Sequence, residues 1–202
     1  MSTAVRSTIK RHPERGSHET EAVHAVLDAA PMGHLGFVVD GQPFVIPMLY
    51  GRIAEAIYLH GSVASRLLRT MAGGVDVCLT ATLVDGLVLA RSAFHHSMNY
   101  RSAVVFGRAV AVEGEEKVAA LKAISEHLRP GRWDEVRAPS DTELRQTAVL
   151  RLDVDEASAK ARTGGPIDEP EDMDLPVWAG VVPCALTWGS PEPDRPLLAS
   201  DQ

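Results

Sequence analysis

The sequence predicts a mainly β protein with flanking helices (α+β), folded as an antiparallel barrel. Six segments rich in β-forming residues follow one another within about eighty residues, and the turns between them are short. Only one helical pattern is inserted among these segments. Asp-Gly pairs at 40–41 and 85–86 are typical of tight hairpin turns. Because βαβ units would need a helix between successive strands, the pattern favours an antiparallel barrel.

The composition indicates one soluble domain. The chain has 202 residues, 45% of them hydrophobic, which is enough for a substantial core. A net charge of -7 argues against nucleic-acid binding through a general basic surface. The sequence has neither an apolar run of the roughly 20 residues that a membrane helix needs nor a signal peptide. We therefore expect a cytoplasmic protein without a membrane partner. Cys78 and Cys184 lie far apart in apolar sequence, which predicts buried free thiols.

The first part of the chain contains residues that mark where its helices and strands begin and end. Ser17 is a candidate N-cap for a helix that ends at Pro31. The Asp-Gly pair at 40–41 joins two strands as a hairpin. Pro47 predicts an edge strand, a bulge or a gap in pairing, because proline donates no ladder hydrogen bond. The predicted elements are an arm at 1–16, a helix at 17–30, strands at 33–39, 44–50 and 57–59, and a helix starting at 63.

The second part continues with strands and then adds helices. The pair at 85–86 predicts a second hairpin, and 95–100 is a polar interruption. Ser140 and Glu143 form a capping-box pattern. The predicted elements are strands at 75–83, 87–94, 103–112 and 148–154, a helix at 115–129 and a short helix at 140. We assign 17–160 to the barrel and its helices, and 161–202 to an extended C-terminal segment and tail. Within that segment an apolar island at 177–183 must pack against its own barrel or a partner subunit.

The turn between the strand at 57–59 and the following helix is a candidate anion site. Ser62 is a plausible N-cap, Ser65 lies in the first turn, and Arg66 follows directly. Free backbone N–H groups, two hydroxyls and a guanidinium would then converge on a phosphate or another anion. An ordinary capped helix with a solvated arginine is the alternative.

Four segments together carry a family resemblance. They are Gln-Pro-Phe-Val-Ile-Pro at 42–47, Tyr-Leu-His-Gly-Ser with Ser-Arg at 58–66, Asp-Gly-Leu-Val-Leu-Ala-Arg-Ser at 85–92, and His-Ser-Met-Asn-Tyr-Arg-Ser at 96–102. The combination resembles the pyridoxamine 5'-phosphate oxidase-related superfamily, in particular its flavin-nucleotide-binding branch with the nitroimidazole-resistance reductases. The resemblance runs from about residue 11 to residue 183. It implies a split β-barrel, a homodimer, and FMN in a groove between the subunits.

The resemblance also implies an FMN site. Ser62, Ser65 and Arg66 would bind the phosphate, and Leu67 stands where the family's oxidases have a lysine, which makes Arg101 a candidate second cation. The strand at 45–48 would lie along the isoalloxazine ring, and Trp178 could cover that ring from the partner, although core packing is the alternative. Asn99, Tyr100 and Arg101 offer an amide, a ring and a cation for contact with the flavin or the dimer partner, and closing a loop is the alternative. The full set is Val45, Ile46, Pro47, Met48, His60, Gly61, Ser62, Ser65, Arg66, Leu67, Asn99, Tyr100, Arg101 and Trp178.

The resulting hypothesis is an FMN-dependent oxidoreductase. A small-molecule substrate, such as a nitroaromatic or quinone, and NAD(P)H are the expected partners. True pyridoxamine phosphate oxidases end in an Arg-x-His segment, whereas 195–202 here has no such segment. The alternatives are a flavin-binding or sensor protein without turnover, and a split barrel that uses deazaflavin or haem. His95 and His96 would point to opposite faces of an extended chain, and no Cys-x-x-Cys pair occurs, so a metal site is not expected.

Overall fold

A computed structural model of the chain describes residues 5–64 and 73–194. Within these residues lie ten strands and four α-helices. The strands are β1 Gly16–Ser17, β2 Gly33–Val39, β3 Gln42–Met48, β4 Tyr50–Ile53, β5 Ala56–Ser62, β6 Val75–Leu89, β7 Ser97–Val112, β8 Thr147–Asp153, β9 Glu156–Arg162 and β10 Gly180–Pro183. The helices are α1 Thr20–Ala29, α2 Gly114–Leu128, α3 Arg132–Glu135 and α4 Asp141–Gln146.

The strands form one antiparallel sheet that divides along β7. The main order is β3-β2-β6-β7-β8-β5-β4, with β9 also beside β7, β1 beside β9, and β10 beside β6. Tyr100 to Phe106 of β7 pair with β9, whereas Val110 to Val112 pair with β8. The change of partner along one long strand opens the sheet into two halves. The architecture is a split β-barrel, and the predicted fold class is confirmed.

Two apolar clusters hold the sheet and the helices together. The larger cluster fills the barrel, where α1 packs against β6, β7 and β9. The smaller cluster joins Ala120 and Ile124 of α2 to Tyr58 and Val149 of the sheet. At Gly51 of β4 the sheet lies directly under the backbone of α2, since an added Cβ would be 2.5 Å from the carbonyl carbon of Ala123. This close approach places α2 across the ends of β4 and β5.

One predicted hairpin turn is confirmed and the other is wrong. Asp40 and Gly41 have φ angles of 51° and 77°, the positive values that a two-residue hairpin turn needs, and they connect β2 to β3. At the second pair, β6 continues without turning back, and a bulge against β7 lies between Val84 and Gly86. A Cβ at Gly86 would lie 2.8 Å from the carbonyl oxygen of Val182 in β10. Gly86 therefore permits the approach of a third strand.

Four other boundaries differ from the predictions. Ser17 pairs with Ala159 in the sheet, so α1 begins at Thr20 instead of being capped by Ser17. The predicted strand at 44–50 ends at Met48, and Tyr50 begins a separate strand. The separate strand predicted at 87–94 does not exist, because Leu87 to Leu89 belong to β6. The polar residues at 97–100 lie within β7. Strands β1, β4, β9 and β10 and helix α3 were not predicted.

The remaining predictions concern single residues and short segments. Pro47 lies on β3, which is an edge strand, as predicted. Cys78 and Cys184 are free thiols, but Cys184 is exposed, so its predicted burial is wrong. The second half of the apolar island, Gly180–Pro183, pairs with β6 of its own barrel, whereas Val177 and Trp178 in the first half are 50% and 64% exposed. The predicted helix starting at 63 lies mostly outside the described residues. None of the described helices has the length and apolarity needed to cross a membrane.

Candidate functional site

A cavity of about 580 Å³ lies between the sheet and the three helices that follow β7, and we call it the helical cavity. Helix α2 forms one wall, the loop from α3 to α4 forms the rim, and the ends of β5 and β8 form the floor. Such a volume is typical of sites for large organic ligands. Its lining residues are Leu49, His60, Leu121, Ile124, Ser125, Leu128, Trp133, Val136, Arg137, Pro139, Glu143 and Thr147.

His60 is the histidine that this cavity contains. It lies on β5 opposite Val149, and the half-buried imidazole faces apolar side chains. Its Nδ1 atom is buried and has no hydrogen-bond partner among the described residues. Burial lowers the pKa of His60, so the ring is neutral at pH 7 and carries a lone pair on one nitrogen. A neutral, unpartnered imidazole in an apolar cavity can ligate a metal ion carried by a ligand.

Most other histidines of the chain already have protein partners. His18 and His127 lie at 3.0 Å and 2.9 Å from backbone carbonyl oxygens, and His96 accepts a hydrogen bond from the Ala90 N–H. His12, His24 and His95 lie near glutamate carboxylates; the His24 pair, at 3.3 Å, is not aligned as a hydrogen bond. Among the described residues no cluster of His, Cys, Asp and Glu could hold a metal ion by itself. Among the described histidines, His60 therefore combines a buried ring nitrogen that has no hydrogen-bond partner with a position in the helical cavity.

An ion pair lies at the rim of the helical cavity. Arg137 donates to both carboxylate oxygens of Glu143, at 2.7 Å and 2.6 Å. The predicted capping box is present, since Ser140 accepts from the Glu143 N–H and Glu143 accepts from the Ser140 N–H. The hydrogen bonds from Arg137, and then those from Ser140, hold the pKa of Glu143 well below its usual range. The rim thus presents a fixed carboxylate and the guanidinium of Arg137, whose side chain is 72% exposed.

A second cavity of about 760 Å³, which we call the C-terminal cavity, lies at the C-terminal end of α2, where His127 and Leu128 line it. His34 of β2, Thr82 of β6 and Arg101 of β7 face it, and Trp188 from the chain after β10 borders it. Arg101 is paired with Asp85 at 2.7 Å. The side chain of Leu128 lines both cavities. The protein therefore has two adjacent spaces of ligand size.

The structure brings some of the predicted FMN residues near these cavities. Pro47 lies opposite His34 in the sheet, so the two share the outward face of the sheet with Val45, whereas Ile46 and Met48 pack against the core. The chain leaving β3 passes beside His60, because Tyr50 pairs with Leu59 and Leu49 lines the helical cavity. The C-terminal end of β3 and the C-terminal end of β5 are thus neighbours.

Other predicted residues have different surroundings. Ser62 accepts a hydrogen bond from the Ala64 N–H at 3.2 Å and follows Gly61 at the end of β5. Asn99 is buried, donates to the Gly164 carbonyl oxygen and accepts from Arg162, so its side chain stabilises the turn after β9. Tyr100 is half-buried on β7. Trp178 lines neither cavity. The predicted phosphate ligands Ser65 and Arg66, and their neighbour Leu67, lie outside the described residues.

Sequence reasoning missed most of the helical cavity. Trp133, Arg137 and Glu143 line it, yet only Glu143 had a recognisable signal, its place in the capping box. Trp188 borders the C-terminal cavity and was not singled out. Nothing in the local sequence shows that the segment 133–143 returns to the end of β5, because a long-range approach of two segments leaves no periodic pattern.

Comparison with known proteins identifies the family. The family model of pyridoxamine 5'-phosphate oxidase matches residues 19–161, well over half of the chain. The chain belongs to the pyridoxamine 5'-phosphate oxidase family. A comparison of this family member with curated proteins found no match.

Solved structures of similar proteins cover most of this pyridoxamine 5'-phosphate oxidase family member. The flavocytochrome Anf3 from Azotobacter vinelandii is 40% identical, with a TM-score of 0.90 over 98% of this chain and 92% of Anf3. The FAD and haem binding protein from Mycobacterium smegmatis is 35% identical, with a TM-score of 0.88 over 93% of each chain. A candidate 5-nitroimidazole antibiotic resistance protein from Bacteroides thetaiotaomicron is 25% identical, with a TM-score of 0.59 over 72% of this chain and 85% of that one. The first two similarities extend beyond the segment that the family model matches.

Proposed function

We propose that this protein is a redox protein that binds both haem and a flavin. The observation that carries the proposal is His60, which lines the apolar helical cavity and has a buried Nδ1 without a hydrogen-bond partner among the described residues. A buried polar atom without a hydrogen bond destabilises the folded protein, and a redox or ligand-binding role is one explanation for such an atom. Histidine is also the common protein ligand of haem iron. Two relatives that match nearly the whole chain are a flavocytochrome and an FAD and haem binding protein.

The residues of the helical cavity fit a haem. Leu121, Ile124, Leu128 and Trp133 offer an apolar surface to a large planar ring, and His60 offers one axial nitrogen. The neutral state of His60 at pH 7 is the state that ligation requires. When bound, haem iron exchanges one electron and a flavin exchanges one or two.

We place the flavin beside the C-terminal cavity, at the C-terminal end of α2. The outward face of β2 and β3 carries His34 and Pro47, and His34 and Arg101 line the C-terminal cavity. This position agrees with the predicted course of β3 along the isoalloxazine ring. The sequence resemblance implies FMN, but the Mycobacterium smegmatis relative is named for FAD, and we propose FAD. The flavin released from the purified protein, identified by its mass, distinguishes the two.

Purified protein should show a Soret band from haem together with flavin absorption. Expression with added 5-aminolevulinic acid and riboflavin supplies both precursors. A Soret band with no flavin, or flavin with no Soret band, would reject one half of the proposal. A colourless protein that takes up neither haem nor FAD when they are added would reject both. Anaerobic bleaching of the flavin by NADH or NADPH would extend the proposal to the predicted oxidoreductase.

We also propose that the protein is a homodimer. In the single chain the apolar island remains exposed, with Trp178 64% and Val177 50% accessible, and Val45 on the edge strand is 68% exposed. Apolar groups in this number are typical of surfaces that a second subunit covers. Light scattering should give the mass of two chains at micromolar concentration. A stable monomer that retains both cofactors would contradict the proposal.

A further inference from the structure

The helical cavity is mostly apolar, and its ionisable side chains lie in two separate places. His60 lies on the floor, and the Arg137–Glu143 pair lies at the rim. Arg137 is the only lysine or arginine that lines the cavity among the described residues. A ligand with an apolar body and an anionic edge would therefore place that edge beside Arg137.

The hydrogen bonds of Arg137 leave it able to bind such an edge. A guanidinium carries five N–H groups. Three of them are used, two by Glu143 and one by the Ala138 carbonyl oxygen at 3.2 Å. The N–H groups on Nε and the second one on Nη2 make no hydrogen bond among the described residues. Glu143 therefore holds the guanidinium in place without using all of its donors.

Glu143 is itself bound from the opposite side. Its Oε2 atom accepts from the Ser140 N–H at 2.8 Å and from the Ser140 hydroxyl at 2.9 Å. These bonds fix the carboxylate at the start of α4 and reduce its effective negative charge toward the cavity. The pair can then accept a further carboxylate on Arg137, as in other networks in which one arginine serves two anions.

We propose, building on the haem site above, that Arg137 is the residue that binds the propionate carboxylates of the haem in the helical cavity. Arg137 acts as a positioning residue: it orients the ring edge toward the rim while His60 ligates the iron. The cavity would accordingly discriminate between porphyrins by their carboxylates. A porphyrin whose carboxylates are esterified would keep the contact with His60 but lose the contact with Arg137.

The test is a Soret titration of haem-free protein with haem and with haem dimethyl ester. The wild type should bind haem about 10- to 100-fold more tightly than the ester, the range for a lost charge-assisted hydrogen bond. Arg137→Gln should weaken haem binding by a similar factor and leave ester binding unchanged. Arg137→Lys should lie between them, because lysine keeps the charge but not the planar fork.

Two controls separate a contact from other effects. Arg145 lies on α4, donates to Thr142 and does not line the helical cavity among the described residues, so Arg145→Gln should change neither titration. Arg137→Gln alone leaves the Glu143 carboxylate without its arginine partner, and that carboxylate could repel the haem. The double variant Arg137→Gln/Glu143→Gln tests this effect, because Glu143→Gln removes the carboxylate and retains the capping-box pattern. Haem binding restored in the double variant would overturn the proposal.

The remaining outcomes are also decisive. Equal weakening of haem and ester in Arg137→Gln would mean that Arg137 only maintains the fold, and no weakening of either would mean that it does not contact the ligand. Either result would overturn the proposed role of Arg137. The haem proposal would still stand if the Soret band depends on His60. Failure of the wild type to bind either porphyrin would instead reject the haem proposal itself.

Discussion

Replacing His60 with alanine should remove the Soret band from the purified protein and leave its flavin absorption in place. The substitution deletes the proposed axial ligand, whereas the apolar walls of the helical cavity remain. Haem affinity should fall by at least about 100-fold, since the loss of even an outer partner of a metal ligand costs roughly 10- to 100-fold. The measurement is haem titration of the haem-free variant beside the wild type, with the thermal unfolding midpoint as a check on folding.

A matched control and a rescue make the result specific. His34 lines the C-terminal cavity and is exposed, so His34→Ala should leave the Soret band unchanged. Added imidazole should enter the space vacated in His60→Ala and restore a haem spectrum like that of the wild type. A His60→Ala protein with an unaltered Soret band and unaltered affinity would show that another group ligates the iron.

The barrel could be predicted because its signals are local. The Asp-Gly pair at 40–41 forms a hairpin turn, and the stripe of apolar residues in α2 appears as a helix at Gly114–Leu128. The same dipeptide at 85–86 failed as a turn signal, because there Gly86 accommodates the backbone of β10. A glycine that permits a positive φ and a glycine that permits a close approach are identical in sequence. Only the neighbouring strand distinguishes them.

The candidate site could be predicted only in part, for a related reason. The family resemblance put His60 in the predicted FMN site, and the structure puts it among the residues that line the helical cavity. Its neighbour at the rim, Arg137, comes from a segment more than seventy residues later, which folds back across α2. The position of α2 depends in turn on Gly51, where the absence of a side chain lets the helix backbone touch the sheet. Such contacts follow from the tertiary fold and have no pattern in the sequence.

Gly51→Ala should cause a large loss of stability, about 3 kcal/mol in the free energy of unfolding. The new Cβ would lie 2.5 Å from backbone atoms of Ala123 and Ile124, which cannot yield as a flexible side chain would, so α2 must shift away from β4. Denaturant unfolding measures the loss, and haem affinity should also fall because α2 forms a wall of the helical cavity. Gly36→Ala is the matched control: its Cβ would make an ordinary 3.5 Å contact with the Cys78 carbonyl oxygen, and stability should change by less than about 1 kcal/mol. Equal effects of the two substitutions would show that the distance between α2 and the sheet does not limit stability.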